Sequence, residues 1–305
     1  MEHKIGDFLT ISRANIQVAT IPHALLGIFL AAATLEDITT IDNLLYVILY
    51  FVLITFACNV NCLYDIDVDK HYKVSLYRGV ISLGIKNVKM LTVLEEIMAI
   101  FLIFFLYISG YMVTAILSLL GLLAGLGYSA HPFRVKAKGF FSPFPTFIGL
   151  YMLPLFGGWF MVRDYLTFPF ILFVVGYALM NEGFTLVNMC EDYSEDKKEG
   201  IRTWAHLFGI KNTLHIAFAF SLGGLLCIFP LADTVFSGSV GEWDMVSLFF
   251  VAIFLIALFT SVSDVWKSFR GHDLQYSSKK YARKMPLWFM ATRYPLLLSA
   301  LFAIL

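Results

Sequence analysis

From Leu44 to Lys70 the chain reads LLYVILYFVLITFACNVNCLYDIDVDK. The stretch to Tyr64 carries no charge, and at about 1.5 Å per residue it is long enough to cross about 30 Å of hydrocarbon as one helix. It then runs straight into Asp65, Asp67 and Asp69. A membrane-crossing helix whose last turn emerges with carboxylates is the reading that organises the rest of the chain.

Working outward, comparable uncharged runs occupy residues 16–35, 111–131, 212–231 and 245–263. Segments 90–108, 143–162, 166–189 and 286–305 bring the expected number of spans to nine. The runs are uniformly apolar, whereas a membrane barrel alternates with period two. The expected fold is therefore all-α: one domain over residues 1–305, a polytopic bundle of about nine transmembrane helices. The first run exceeds the core of a secretory leader and eight more follow, so it too reads as a span. Of 305 residues, 59% are hydrophobic and 14% charged, against roughly 25% charged in soluble domains. Cys58, Cys62, Cys190 and Cys227 lie in or beside apolar segments without paired metal-ligand spacing, so neither a disulfide framework nor a zinc site is expected.

Formal net charge is zero, and no nucleic-acid partner is expected. The charges are nonetheless sorted. Of 22 Lys and Arg residues, 20 fall in the N-terminal segment or after the second, fourth, sixth and eighth spans; the exceptions are Arg163 and Arg293. The positive-inside rule places that side, and the N-terminus, in the cytoplasm and the C-terminus outside, for a multi-pass protein of the cell membrane in contact with its lipid. Glu36, Asp37, Asp42, Asp233, Glu242 and Asp244 fall on the opposite side.

The acidic end of the second span has a counterpart at the end of the sixth. Asn61, Asp65, Asp69 and Lys70 repeat as Asn188, Asp192, Asp196 and Lys197, an Asn-x3-Asp-x3-Asp-Lys pattern. Steps of four keep Asn and both Asp on one helix face, whereas Asp67 points away. Oxygen donors on such a face suit Mg²⁺, which takes one or two carboxylates together with substrate phosphates. One copy alone reads equally well as a solvated helix end; two copies at equivalent topological positions do not.

These motifs resemble the pair found in the UbiA superfamily of intramembrane prenyltransferases, Asn-Asp-x-x-Asp-x-x-x-Asp and an Asp-x-x-x-Asp variant. The likeness continues through Gly200, Ile201, Arg202, Thr203 and the later Phe208 and Gly209. It also covers Tyr128 to Lys136, which is similar to the Tyr-Ser-x-Pro-Pro-x-Arg-x-Lys stretch of members acting on aromatic or tetrapyrrole acceptors. Two features depart from the family: Cys62 replaces the first Asp, and His71 to Arg78 replace a Lys-x-x-Arg-Pro segment. The resemblance implies Mg²⁺-dependent transfer of a polyprenyl group from an isoprenyl diphosphate to a hydrophobic or aromatic acceptor.

Under that reading Asp65, Asp69, Asp192 and Asp196 hold metal, with Asp65 and Asp192 central to catalysis and Asn61 and Asn188 as neutral partners. Lys73, Arg78, Arg134, Lys136, Lys197 and Arg202 are the cations for the diphosphate. Tyr128 would present a ring face to a cationic centre, or else anchor at the interface. Glu182, six residues before Asn188, is a candidate acceptor-binding group or proton acceptor deeper in the cavity. Glu95 and Glu96 would approach the interface if the third span began later than residue 90, and His23 reads as packed. A cation-coupled transporter is the rival reading, but it would place its key groups near the midplane.

Overall fold

The computed structural model describes residues 2–237 and 245–305. Glu242 and Asp244 lie outside the described residues, as does the side chain of Asp233. Among the described residues there is no strand, only an isolated bridge between Lys138 and Arg202. Eight helical segments among the described residues are long and apolar enough to cross a membrane. A further helix of 18 residues, Met285–Phe302, completes the nine expected from the sequence.

Helix α1 (Glu2–Ile11) precedes a first span made of α2 (Ala14–Thr20) and α3 (Pro22–Ala31), which meet at Ile21. Pro22 has no N–H, so the carbonyl of Val18 loses its helical donor. The Tyr294 hydroxyl fills that place, donating to Val18 O at 2.6 Å, and Arg293 Nη1 donates to Ala19 O at 2.6 Å. The ninth span thus fastens the bend in the first.

After the short α4 (Leu35–Ile38), α5 (Ile41–Tyr64) begins at Thr40, whose side chain accepts from Asn43 N. Next come α6 (Ile66–Tyr72) and the amphipathic α7 (Val74–Leu83), which buries Val80 against Ile11, Cys62 and Val88. Helix α8 (Ile85–Ile108) starts five residues before the third sequence run, which moves Glu95 and Glu96 to its middle and away from the interface. Along it Met90, Leu94, Ile97, Phe101, Phe104 and Ile108 are all exposed. That stripe recurs with the helical period, as expected of a face turned to lipid.

Helix α9 (Met112–Ser129) leads to an irregular fifth span. Two 3₁₀ turns and a π-helix, Pro145–Met152, precede α10 (Leu153–Trp159). π segments widen a helix locally and are frequent at functional sites. Helix α11 (Phe168–Glu191) is the central element of the larger core, with Phe173, Tyr177 and Phe184 fully buried. It is followed by α12 (Tyr193–Lys198), α13 (Trp204–Ser237, kinked at Gly209), α14 (Met245–Ser268), α15 (Leu274–Ala282) and α16 (Met285–Phe302). Helices α11 and α13 approach so closely that a Cβ on Gly183 would lie 2.6 Å from Ala217 O. Small residues permit such approach in a bilayer, where lipid tails supply no hydrophobic drive between helices.

Candidate active site

The structure corrects the expectation that Asn61, Asp65 and Asp69 ride one unbroken helix, yet keeps them together. Helix α5 ends at Tyr64, Asp65 takes φ −103° and ψ 12°, and α6 begins at Ile66. The four-residue bonds persist across the break: Asp65 N donates to Asn61 O at 2.9 Å and Asp69 N to Asp65 O at 2.7 Å. The second copy has the same form. Asp192, at φ −81° and ψ 3°, separates α11 from α12 and donates to Asn188 O at 3.2 Å, while Asp196 N reaches Asp192 O at 2.8 Å. Both aspartates occupy the bridge region of backbone space, where many active-site residues sit. Asp67 is exposed, as its spacing implies.

Both copies face a single cavity of about 420 Å³, with Asn61, Asp65, Asp69, Asn188, Asp192 and Asp196 in its wall. Lys73, just beyond the first motif, places Nζ 3.6 Å from the Asp192 carboxylate of the second. The copies are therefore near neighbours across the same chamber.

Asp65 is a hub for cations. Its Oδ1 accepts from Arg134 Nη2 at 3.1 Å, and its Oδ2 accepts from Lys136 Nζ and from Asn61 Nδ2, the latter at 2.8 Å. Asn61 also donates to Ser129 Oγ at 2.8 Å and accepts from Arg13 Nη2 at 2.7 Å. Arg13 lines the chamber, and sequence reasoning missed it. Arg13 and Arg134, at φ 50° and 34°, are the two non-glycine residues with positive φ among those described. That conformation costs about 1–3 kcal/mol and collects at functional sites. Here both strained arginines bond the first motif.

The other carboxylates are less committed. Asp69 is buried and its Oδ2 has no partner; Asp192 and Asp196 are half-buried. Burial, aided by Asp65 and opposed by Lys73, raises the Asp69 carboxyl to about 6. Burial and the adjacent Asp192 raise Asp196 to about 7. Burial is also the main influence on Lys136 and lowers it, although Asp65 pulls the other way. Among the described residues, no three His, Cys, Asp or Glu side chains are gathered tightly enough to enclose an ion unaided. Oxygen donors that are present but incomplete fit Mg²⁺, whose shell is finished by phosphate oxygens and water.

The other candidates divide. Tyr128 lines the cavity with Lys136 Nζ 5.6 Å from its ring centroid. Arg78, Lys197 and Arg202 are exposed and stand outside the wall. The reason is local: α7 packs over α1, Lys197 takes the outer side of α12, and Arg202 bridges Lys138 through its backbone. Cys62 is buried away from the cavity, its Sγ toward Ile11 O, so its replacing Asp removes no oxygen from the wall. Glu182 is buried behind Thr146, whose hydroxyl donates to Oε2 at 2.9 Å, and Glu95 accepts from Asn59 at 2.8 Å between α5 and α8. His23 is packed, with Nδ1 3.0 Å from the Tyr50 hydroxyl.

A helical bundle with two acidic motifs and their cations gathered over one cavity defines a polytopic membrane transferase. The chain belongs to the UbiA prenyltransferase family, whose model matches residues 20–289. Similar solved structures include one described under the biosynthesis of digeranylgeranylglyceryl phosphate synthase in membranes. It is 18% identical with a TM-score of 0.67, over 99% of this chain and 100% of that one. A UbiA homologue from Archaeoglobus fulgidus bound to DMAPP and Mg²⁺ is 16% identical with a TM-score of 0.68, covering 98% and 99%. An apo UbiA homologue from Aeropyrum pernix K1 is 17% identical with a TM-score of 0.65, covering 90% and 96%. At these identities the likeness establishes the fold. No curated protein matches the sequence.

Proposed function

We propose that this chain moves a prenyl group from an isoprenyl diphosphate to a hydrophobic or aromatic acceptor, with Mg²⁺, at the cytoplasmic edge of the membrane. The observation that carries the reading is the meeting of both motifs over one cavity, with Lys73 reaching from one to the other. Archaeoglobus fulgidus homologues of the same fold bind DMAPP or GPP with Mg²⁺.

Asp69, Asp192 and Asp196 would hold the metal with Asn188 beside them, and Asp65 would act chiefly by setting Arg134 and Lys136 in place. Bound Mg²⁺ supplies positive charge against which a departing diphosphate is stabilised. Arg13, Lys73 and Lys136 add fixed cations on the same wall, and fixed charges are most effective in a site shielded from water. Tyr128 offers its ring face to the allylic cationic centre. The tail would lie in the apolar flank formed by Leu53 and Ile54 of α5 with Leu117, Gly121 and Ala124 of α9.

Purified protein given a prenyl diphosphate and an acceptor mixture is expected to release diphosphate with Mg²⁺ and to stop when the ion is chelated. Release indifferent to chelation would remove the metal from the scheme, and absence of release would remove the activity.

Sidedness rests on the charge distribution. Single cysteines placed at Asp67, Lys138, Lys197 and Lys280 in a background without native cysteines are expected to resist an impermeant thiol reagent added to intact cells. They should react once the membrane is opened. Labelling of any one of them from outside would reverse the orientation.

A further inference from the structure

The two motifs hold their central aspartates by different means. Asp65 takes side-chain donors from Arg134, Lys136 and Asn61. Among the described residues no hydrogen bond reaches the Asp192 carboxylate, and its ion-pair partner Lys73 stands 3.6 Å away. The oxygens of Asp192 are thereby left for a metal, but a carboxylate without such partners is only as well placed as its backbone. That backbone needs outside support. Asp192 lies at the break between α11 and α12, and its N–H reaches Asn188 O at 3.2 Å, against 2.9 Å for the bond from Asp65 to Asn61. A helix also leaves its last carbonyls without partners of its own.

Helix α15 supplies the support. Asp273 caps it, accepting from Tyr276 N at 3.0 Å, and Leu274 packs on the larger core. These contacts set Gln275 beside the break. Gln275 Nε2 donates at 3.1 Å to Glu191 O, the carbonyl just before Asp192, and Oε1 accepts at 2.6 Å from Ser194 Oγ, just past it. Only this orientation of the amide serves Glu191 O, because a carbonyl only accepts. One carboxamide thus joins the end of α11 to the first turn of α12. One turn further along α15, Lys279 lies 3.8 Å from Glu195, and from α13 His206 Nε2 donates to Tyr193 O at 3.0 Å. Packing of α15 accounts for Leu274 and Lys279, but it does not require a side chain that bonds the chain on both sides of Asp192.

We infer that Gln275 is a positioning residue for the Mg²⁺ site, holding the break so that Asp192 and Asp196 face the metal together. This rests on the proposed metal role of those two aspartates and names the element that sets their geometry. Partners behind a metal ligand commonly govern affinity by about 10–100-fold. Here the ligand is reached through its backbone, which places the effect at the lower end.

The test reads binding, not turnover. Native protein, Gln275→Ala and Gln275→Glu are titrated with Mg²⁺ at fixed geranyl diphosphate, and binding is measured again with the ion chelated. Both variants should need about tenfold more Mg²⁺ for half-maximal binding. Binding under chelation should stay within about twofold of native, since Arg13, Lys73 and Lys136 are untouched. Gln275→Glu is the sharper variant: it keeps the side-chain size and the acceptor for Ser194 but loses the donor to Glu191 O. Hydrogen exchange of the metal-free protein gives a second reading. Amides of α12 should exchange about fivefold faster in both variants, as for one net hydrogen bond lost, and those of α6 should not change. Tyr276→Ala, on the exposed side of α15, should match native protein in both measurements. Mg²⁺-dependent native binding that both variants reproduce would overturn the inference alone. So would binding that they lose equally with and without the ion, or exchange of α12 that neither variant alters. Native binding that ignores Mg²⁺ would overturn the proposed transfer and the inference with it.

Discussion

Asp192→Ala is expected to lower prenyl transfer by about 10²–10³-fold, the usual cost of removing one preorganised electrostatic group around developing charge. Asp192 stands where the motifs meet, lining the cavity with Lys73 3.6 Å away. Asp65→Ala should cost a similar factor by another route, since it releases Arg134 and Lys136 together. Asp67→Ala, on the exposed side of α6, should stay within about twofold, as surface changes usually do. The double variant carries the argument. If both motifs act on one diphosphate, Asp65→Ala with Asp192→Ala should be little worse than either alone, because groups that work as a unit are strongly non-additive. Two independent ion sites, as in a transporter, would give losses that add. Turnover and prenyl diphosphate affinity for the four proteins at several Mg²⁺ concentrations decide between them, and additive losses would defeat the shared site.

Acid should abolish Mg²⁺-dependent binding of prenyl diphosphate well above the usual carboxylate range. Asp69 and Asp196 are raised to about 6 and about 7, so both are ionised only above roughly neutral pH. Metal takes the ionised form. Between pH 7 and 6 one proton competes and affinity should fall by about tenfold per unit; below pH 6 a second joins and the fall should steepen toward about 100-fold per unit. The stability sign is consistent. A carboxyl raised by folding contributes most below its unfolded value near 4, and that contribution is lost as pH climbs through the folded value. At pH 8 both groups are charged and crowded, so adding Mg²⁺ with a non-hydrolysable prenyl diphosphate should raise the melting temperature more there than at pH 6. An equal gain at both values would show that these two carboxylates do not carry the metal.

The bundle was legible because each span announces itself locally. An uncharged run such as 44–64 has one low-energy arrangement in a bilayer, the helix, since every backbone group must be satisfied within the segment. The motif copies were legible for a related reason: Asn61, Asp65 and Asp69 are joined by steps of four, and those bonds survive the break at Asp65. The break itself was not legible, because nothing in Tyr64-Asp65-Ile66 distinguishes a stop from a continuing turn.

Charge sorting in the loops could nominate cations only as a set, which is why Arg78, Lys197 and Arg202 were gathered with Lys73, Arg134 and Lys136. The fold separates them. Arg134 reaches Asp65 across 69 residues of sequence and Arg13 reaches Asn61 across 48, both from backbone conformations that no local pattern foretells. Arg293 looked like an isolated charge in the last span until closure of the bundle set it against Asn181, 112 residues earlier. The sequence by itself therefore determined the membrane setting, the helices and the paired aspartates, all consequences of short-range periodicity and solvent. Which cations serve those aspartates, and that the cavity has one apolar flank and one charged floor, was decided only by tertiary packing, because those contacts exist only once distant helices are brought together.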